Sequence, residues 1–284
     1  MFASMQTTQH MTWHYENKIE GMLRHPSDGE AWKHFDRKHP SFASDPHNVR
    51  LGLCTNGFNP YIQALSSPYS WLPVIATLYN LPPEMCMTKP YMFLTCLITG
   101  PSNPKASIDV YLEPLIDDLN KLWNGIWTYD VSRKQNFLMR AALMLTINDF
   151  PAYGMISGWS THGRLSCPHY MEHTESFTLT YGRKSCWFDC HRRFLPIEHP
   201  FRRNNKAFRK GEVEKDGPPP ILTPSQVCRR VKDFPKVTKS GVTRMDGYGE
   251  WHNWTKRSIF WDLPYWKDNS LRHNLDVIHI EFFF

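Results

Sequence analysis

The chain has 284 residues, of which 41% are hydrophobic and 21% are charged, and it carries 33 Lys and Arg against 27 Asp and Glu. This length and composition suit one large domain or two small ones and exclude a wholly disordered chain. The net charge of +6 permits nucleic acid as a partner without demanding it. No apolar run reaches the roughly 18 residues that cross a bilayer, and no secretory signal is visible, so we expect no membrane partner. Seven cysteines in such a chain favour a reduced, intracellular protein.

The first half of the chain predicts alternating strands and helices. Residues 1–47 are polar and rich in histidine, and they predict a lead-in of short helices and loops. Three strand-like runs follow, bounded by Pro, Gly or Asn, at 49–55, 71–79 and 91–98. A helix capped by Ser107 is predicted next, because apolar residues recur there at spacings of three and four. These residues are Val110, Leu112, Leu115, Ile116, Leu119 and Leu122.

A long apolar run from Phe137 to Ile147 ends at Asn148 and predicts a buried strand over at least its second half. A short helix is predicted near residues 154–159. The resulting order over residues 48–165 is three strands, a helix, a strand and a helix, which matches an α/β, ribonuclease-H-like core without being unique to it. Beyond this core we predict a basic insertion and linker over 166–250 and a Trp-rich C-terminal segment over 251–284.

The positive charge is concentrated between residues 183 and 210, where nine cations stand against two acids and give a net charge of +7. Arginine interleaved with aromatic residues is typical of nucleic-acid binding, since cations contact phosphates and rings stack on bases. A solvated basic face is the alternative interpretation. The candidate DNA-binding residues are Arg183, Lys184, Arg192, Arg193, Arg202, Arg203, Lys206, Arg209 and Lys210.

Two further patterns suggest metal ligands. Asp149 follows the apolar run, and carboxylates at strand ends hold Mg²⁺ in many nucleases, although an Asx-type turn before Pro151 is the commoner role. Thiolate and imidazole donors suit tetrahedral Zn²⁺. The Cys and His spacings do not form a clean paired motif, so inert cysteines and surface histidines remain the alternative. The candidates are Cys167, His169, Cys186, Cys190, His191, His199, His273 and His279.

Long aromatic-rich stretches include LGLCTNGFNP at 51–60, INDFPAYGMISGW at 147–159, WFDCHRRFLPIEHPFRRNNKAFRK at 187–210 and HNLDVIHIE at 273–281. Together with similar stretches from about residue 25 onward, they resemble the plant CACTA (En/Spm-type) DNA transposases. The resemblance implies a ribonuclease-H-like core whose Asp-Asp-Glu triad holds Mg²⁺, and a zinc-binding insertion. It also implies transposon-end DNA as partner, a nuclear location, and assembly with other transposase copies.

Carried over residue by residue, the resemblance assigns the second Asp to Asp149 and the Glu to Glu281. Asn56 stands where the first catalytic Asp is expected, and Mg²⁺ held by one carboxylate fewer binds more weakly. The zinc ligands would be Cys167, His273 and His279, whereas Tyr170 in CPHY occupies the place of an expected thiolate.

The family also continues upstream of this chain and beyond HIE, so we expect a truncated copy of a CACTA transposase that is catalytically inactive. A non-catalytic DNA-binding or interaction protein derived from a transposase is the alternative hypothesis. A pseudogene product that does not fold stably is a third.

Overall fold

The structure is a computed structural model that describes residues 1–60, 70–187, 189–208, 211–237 and 245–276. The chain divides into two compact units. The first unit comprises Met1–Gly158, Pro224–Val242 and Lys256–Phe284, and the second comprises Trp159–Thr223 and Thr243–Thr255. Among the described residues, no helix is both long enough and apolar enough to span a membrane.

The strands and helices have the following bounds in chain order. The strands are β1 (Val49–Thr55), β2 (Ser70–Leu78), β3 (Met92–Gly100), β4 (Ile126–Asp130), β5 (Gln135–Met139), β6 (Ala141–Asn148), β7 (Phe177–Thr178), β8 (Ser185–Cys186) and β9 (His273–Leu275). The α-helices are α1 (Met5–Thr8), α2 (Trp13–Glu16), α3 (Glu30–Lys38), α4 (Pro40–Ala43), α5 (Ile108–Asn124), α6 (Phe150–Ser157), α7 (Pro200–Arg203) and α8 (Pro224–Val231).

A five-stranded mixed sheet in the order β3-β2-β1-β6-β9 forms the centre of the first unit. β1 pairs antiparallel with β2, and β2 pairs antiparallel with β3, whereas β6 lies parallel to both β1 and β9. The three strands predicted before the long helix are confirmed, as is the helix itself, which is α5. The fold is therefore mixed α/β, as the sequence predicts.

The long apolar run at 137–147 contains two strands rather than one. β5 ends at Met139 and pairs with β4 in a separate antiparallel hairpin, and β6 begins two residues later in the main sheet. The break falls at Arg140, whose backbone N–H donates to the side chain of Asn48 and whose guanidinium donates to the carbonyl of Trp123. Since Phe137, Met139 and Ala141 are all buried, hydrophobicity continues through the break and conceals it.

Helices α3 and α4 pack on the sheet through a buried arginine of β1. The Arg50 guanidinium lies 4.9 Å from the ring centroids of both Trp32 and Phe42, and it donates to Asp36 at 2.7 Å. It also donates to Nε2 of His14 at 3.3 Å. Arg50 thus satisfies its buried charge and connects the N-terminal segment to the sheet.

A second buried ion pair connects the segment after residue 255 to α5. The ammonium of Lys256 donates to a carboxylate oxygen of Asp109 and to the carbonyl of Ala106, and both Lys256 and Asp109 are buried. The other oxygen of Asp109 accepts from the backbone N–H of Ile259 at 3.2 Å. The pair therefore also satisfies two backbone groups, the carbonyl of Ala106 and the N–H of Ile259.

The environment of His14 predicts that the first unit loses stability in acid. Burial, followed by the charge of Arg50, lowers the pKa of His14 to about 3. The unfolded chain takes up this proton near pH 6.5, so stability falls as the pH drops from 6.5 towards 3, by at most about 1.4 kcal/mol per pH unit. We expect His14→Gln, which keeps a donor and an acceptor, to reduce the difference between urea midpoints measured at pH 7 and pH 4.5. His34→Gln on α3 is the control, and equal acid sensitivity of His14→Gln and the unchanged protein would contradict the assignment.

Removing one member of the Lys256–Asp109 pair should cost more than removing both. Lys256→Met leaves a buried carboxylate without its cation, and we expect a loss of about 3–5 kcal/mol in the free energy of unfolding. The double variant Asp109→Asn with Lys256→Met should recover part of this loss, because the amide still accepts from Ile259. Urea denaturation of the four proteins in the cycle measures the coupling, and additive effects would show that the pair is not coupled.

Candidate functional site

Two of the predicted catalytic positions lie side by side at one edge of the sheet. The parallel pairing of β1 and β6 ends with Thr55 opposite Asn148, so Asn56 and Asp149 are the next residues on neighbouring strands. The N–H of Gly57 is 3.4 Å from Oδ2 of Asp149. Asn56 is exposed, whereas Asp149 is buried. The structure thus brings positions 56 and 149 together at the carboxyl ends of parallel strands.

Asp149 also caps helix α6. Its Oδ1 accepts from the N–H of Ala152 at 2.6 Å, and Pro151 occupies the first turn. The helix therefore begins at Phe150, four residues before the predicted start, and ends at Ser157, where Gly158 with a φ of 83° follows as the C-cap. At Gly158 a side chain would also approach the carbonyl of Lys256 to 2.6 Å. The capping role and the strand-end position coexist in Asp149.

Asp276 is a third residue at this edge, and it is not among the residues predicted from the sequence. It follows β9, whose pairing with β6 ends with Leu275 opposite Asn148, and its N–H donates to the Asn148 carbonyl at 2.8 Å. Burial, and then the charge of the Asp276 carboxylate, raise the pKa of the Cys54 thiol on β1. The available sequence signal was an acid directly after the short run HNL. Glu281, the predicted third acid, lies outside the described residues.

The donors at this edge do not fit the two-magnesium centre that the resemblance implies. Asn56 supplies a neutral amide, and both oxygens of Asp149 lie within 3.4 Å of backbone N–H groups. Across the described ranges, no three Asp, Glu, His or Cys side chains are grouped closely enough to hold a metal ion. Magnesium prefers several charged oxygen ligands in octahedral geometry. The donors described at this edge therefore do not make up such a centre.

The predicted DNA-binding cations of the second unit fall into two groups by burial. Arg183, Lys184, Arg203 and Lys206 are exposed, and Arg203 pairs with Glu198. Arg193 is half-buried and contacts Glu175 at 2.5 Å. Arg209 and Lys210 lie outside the described residues. The exposed members keep their charge available to solvent and to a polyanion.

Arg192 and Arg202 are buried, which disagrees with the expectation that they face DNA. The guanidinium of Arg202 donates to the carbonyls of Arg193 and Asp216 at 2.8 Å and to that of Leu195 at 3.2 Å. Arg192 donates to the carbonyls of other loop residues, lies beside Asp189 at 3.2 Å, and places its guanidinium 4.4 Å from the Phe208 ring centroid. Five donors in a planar fork suit arginine to satisfying several loop carbonyls at once.

The three predicted zinc ligands belong to different parts of the chain. Cys167 belongs to the second unit, His273 is on β9 of the first unit, and His279 lies outside the described residues. His273 shares a hydrogen bond of 2.9 Å with Thr146 and packs against Phe260 and Trp266. Burial is the main cause of its strongly lowered pKa, which favours the neutral ring.

Cys167 instead faces a cavity of about 10 Å³ that is also lined by His173, Cys190 and His191. Thiolate and imidazole groups are the ligand types that zinc prefers. Among the described residues, however, no three such side chains lie close enough together to bind one ion. Tyr170, at the expected thiolate position, stacks on Phe194 with ring centroids 4.7 Å apart. Aromatic packing against Phe194 is therefore a contact that Tyr170 makes here.

Comparison with protein-family models gives a match to "Transposase family tnp2" over residues 20–234. This match covers most of the 284-residue chain. The chain belongs to this family. Comparisons with curated proteins and with solved structures give no match.

The range matched by the tnp2 family covers part of the candidate site in the first unit and the whole basic segment of the second unit. It includes Asn56, Asp149 and the basic segment at 183–210, whereas Asp276 follows it. Membership of a transposase family supports DNA transposition as the general function, and DNA as the general partner. The resemblance to transposases that the sequence predicts is thus confirmed.

Buried and exposed arginines of the second unit should respond differently to alanine substitution. Arg202→Ala leaves several buried carbonyls without a donor, and we expect the free energy of unfolding to fall by about 2–4 kcal/mol. Arg203→Ala, its exposed neighbour, should change it by no more than about 0.5 kcal/mol. Urea denaturation followed by tryptophan fluorescence makes the comparison, and equal effects would contradict the structural role of Arg202.

Proposed function

We propose that this protein is a CACTA (En/Spm-type) transposase by descent that binds transposon-end DNA in the nucleus without cleaving it. The observation that carries the proposal is Asn56, a neutral amide beside Asp149 at the carboxyl ends of two parallel strands. Family membership supports the DNA partner, and the identity of residue 56 supports the loss of cleavage.

The sheet supports a ribonuclease-H-like core for the proposed enzyme ancestor. Its order β3-β2-β1-β6-β9, with the first three strands antiparallel and β1, β6 and β9 parallel, is typical of that fold. In such a core the carboxyl ends of β1 and β6 carry the first two acids. In this chain the residues after β1 and β6 are Asn56 and Asp149. Asn56 therefore lacks the negative charge that holding Mg²⁺ for DNA cleavage would need.

Exposed cations support the proposed contact with DNA. Arg183, Lys184 and Lys206 are exposed, and no ion pair of their side chains is present in the described part of the chain. Cations of this kind neutralise phosphates and release counterions, which gives affinity without base specificity. Assembly with other transposase copies is part of the same proposal, because two transposon ends must be held together.

The proposed DNA contact is tested by its salt dependence. We expect replacement of Arg183, Lys184 and Lys206 by Gln to weaken binding to duplex DNA and to reduce the slope of log Kd against log salt by about 0.9 for each lost phosphate contact. The control replaces the exposed Lys33, Arg37 and Lys38 of α3 by Gln, which removes the same charge from the first unit. An equal loss of slope in both triple variants would show that net charge, rather than this surface, binds DNA.

The proposed loss of cleavage is tested by restoring the missing acid. Asn56→Asp should bind Mn²⁺ about tenfold more tightly than the unchanged protein, since a second carboxylate joins Asp149. Addition of Asp149→Asn should abolish the gain. Cleavage of transposon-end DNA by the unchanged protein with Mg²⁺ would overturn the proposal. DNA binding that persists while Asn56→Asp never cleaves would favour the alternative, a binding protein derived from a transposase.

A further inference from the structure

A cleft of about 250 Å³ opens directly beside Asp149 in the first unit. Its walls come from the turn after β1, the start of β2, the loop before α5 and the first turns of α6. The lining side chains that matter for recognition are Phe58, Asn59, Asn103, Asp149, Pro151 and Met155. The cleft therefore shares a wall with the edge of the sheet that carries Asn56 and Asp149.

Phe58 forms an open aromatic face in this cleft. Its backbone is fixed by two hydrogen bonds with Trp71, of 3.0 and 2.9 Å, and its ring lies edge-on to the Trp71 ring with centroids 6.1 Å apart. The side chain is nevertheless 49% exposed. A half-exposed ring on an anchored backbone, with an aromatic neighbour beside it, can stack on a nucleobase.

The remaining lining excludes phosphate and favours a neutral polar ligand. Among its described residues there is no Lys or Arg, and Asp149 contributes a carboxylate that repels anions. Asn103 contributes an amide, which has donors and an acceptor. Amides of this kind recognise the hydrogen-bonding edges of bases, whereas Pro151 and Met155 provide apolar contact.

We propose that this cleft is a subsite for one unpaired nucleobase of the DNA strand, with Phe58 against its face and Asn103 at its edge. The inference rests on the proposed function, because it assumes that the strand runs past Asp149. A base in a duplex is already stacked and paired, so the cleft selects a frayed or single-stranded nucleotide.

The subsite is tested with a blunt DNA duplex and the same duplex carrying a short single-stranded overhang. We expect the overhang to tighten binding to the unchanged protein by about 5- to 150-fold, the range for one stacked base. Phe58→Ala should abolish this gain without altering affinity for the blunt duplex. Phe58→Tyr should retain the gain, and Phe58→Leu, which fills space without an aromatic face, should not.

Phe93→Ala is the matched control. Phe93 is also an exposed phenylalanine of the first unit, but it pairs with Ala76, five residues along β2 from Trp71. Retention of the overhang gain in Phe58→Ala, or its equal loss in Phe93→Ala, would overturn the subsite. In both cases binding to the blunt duplex would leave the proposed function standing, whereas failure to bind either DNA would reject the function and the subsite together.

Asn103→Ala provides a second measurement. With overhangs that end in each of the four bases, we expect the unchanged protein to prefer one base and Asn103→Ala to lose that preference while keeping the stacking gain. Loss of the stacking gain together with the preference would show that Asn103 shapes the cleft rather than contacts the base.

Discussion

The parallel pairing of β1 with β6 is the constraint on which the candidate site depends. It fixes Thr55 opposite Asn148 and therefore places residues 56 and 149 at the same edge of the sheet. A slip of one residue would turn every following side chain to the opposite face. Within β1, Gly52 lets the ring of Tyr79 pack directly on the backbone, because a Cβ at Gly52 would approach this ring to 2.3 Å. The positions of residues 56 and 149 thus depend on the packing of a strand whose close contact lies several residues away.

Buried arginine performs structural work in both units. In the first unit Arg50 lies between two aromatic rings, and in the second Arg202 satisfies loop carbonyls where regular secondary structure is sparse. A segment with short helices and many turns has more carbonyls than its own N–H groups can satisfy, and guanidinium groups supply the missing donors. The basic segment at 183–210 therefore contains both cations that face solvent and buried arginines that stabilise the fold.

The sequence predicted those features that arise from local hydrophobic patterns. The first three strands and α5 follow from apolar runs and from the polar residues that end them, whereas the pairing of residues 56 and 149 followed from the resemblance to transposases. The β4–β5 hairpin was missed because hydrophobicity continues through Arg140. The burial of Arg192 and Arg202 could not be read from composition, because an arginine that contacts carbonyls and one that contacts phosphate look alike in a sequence. Asp276 was missed since β9 has only three residues.

Two hydrogen bonds, one to the Asp149 side chain and one from the Asp276 backbone, hold this edge of the sheet. Asp149 holds its place by capping α6, and the N–H of Asp276 is fixed by the Asn148 carbonyl. Neither contact involves the side chain of residue 56, so both persist whether that residue carries a charge or an amide. A change of charge at position 56 therefore leaves these contacts in place. Under the proposed function, loss of cleavage at this edge and retained binding of DNA can thus occur in one folded protein.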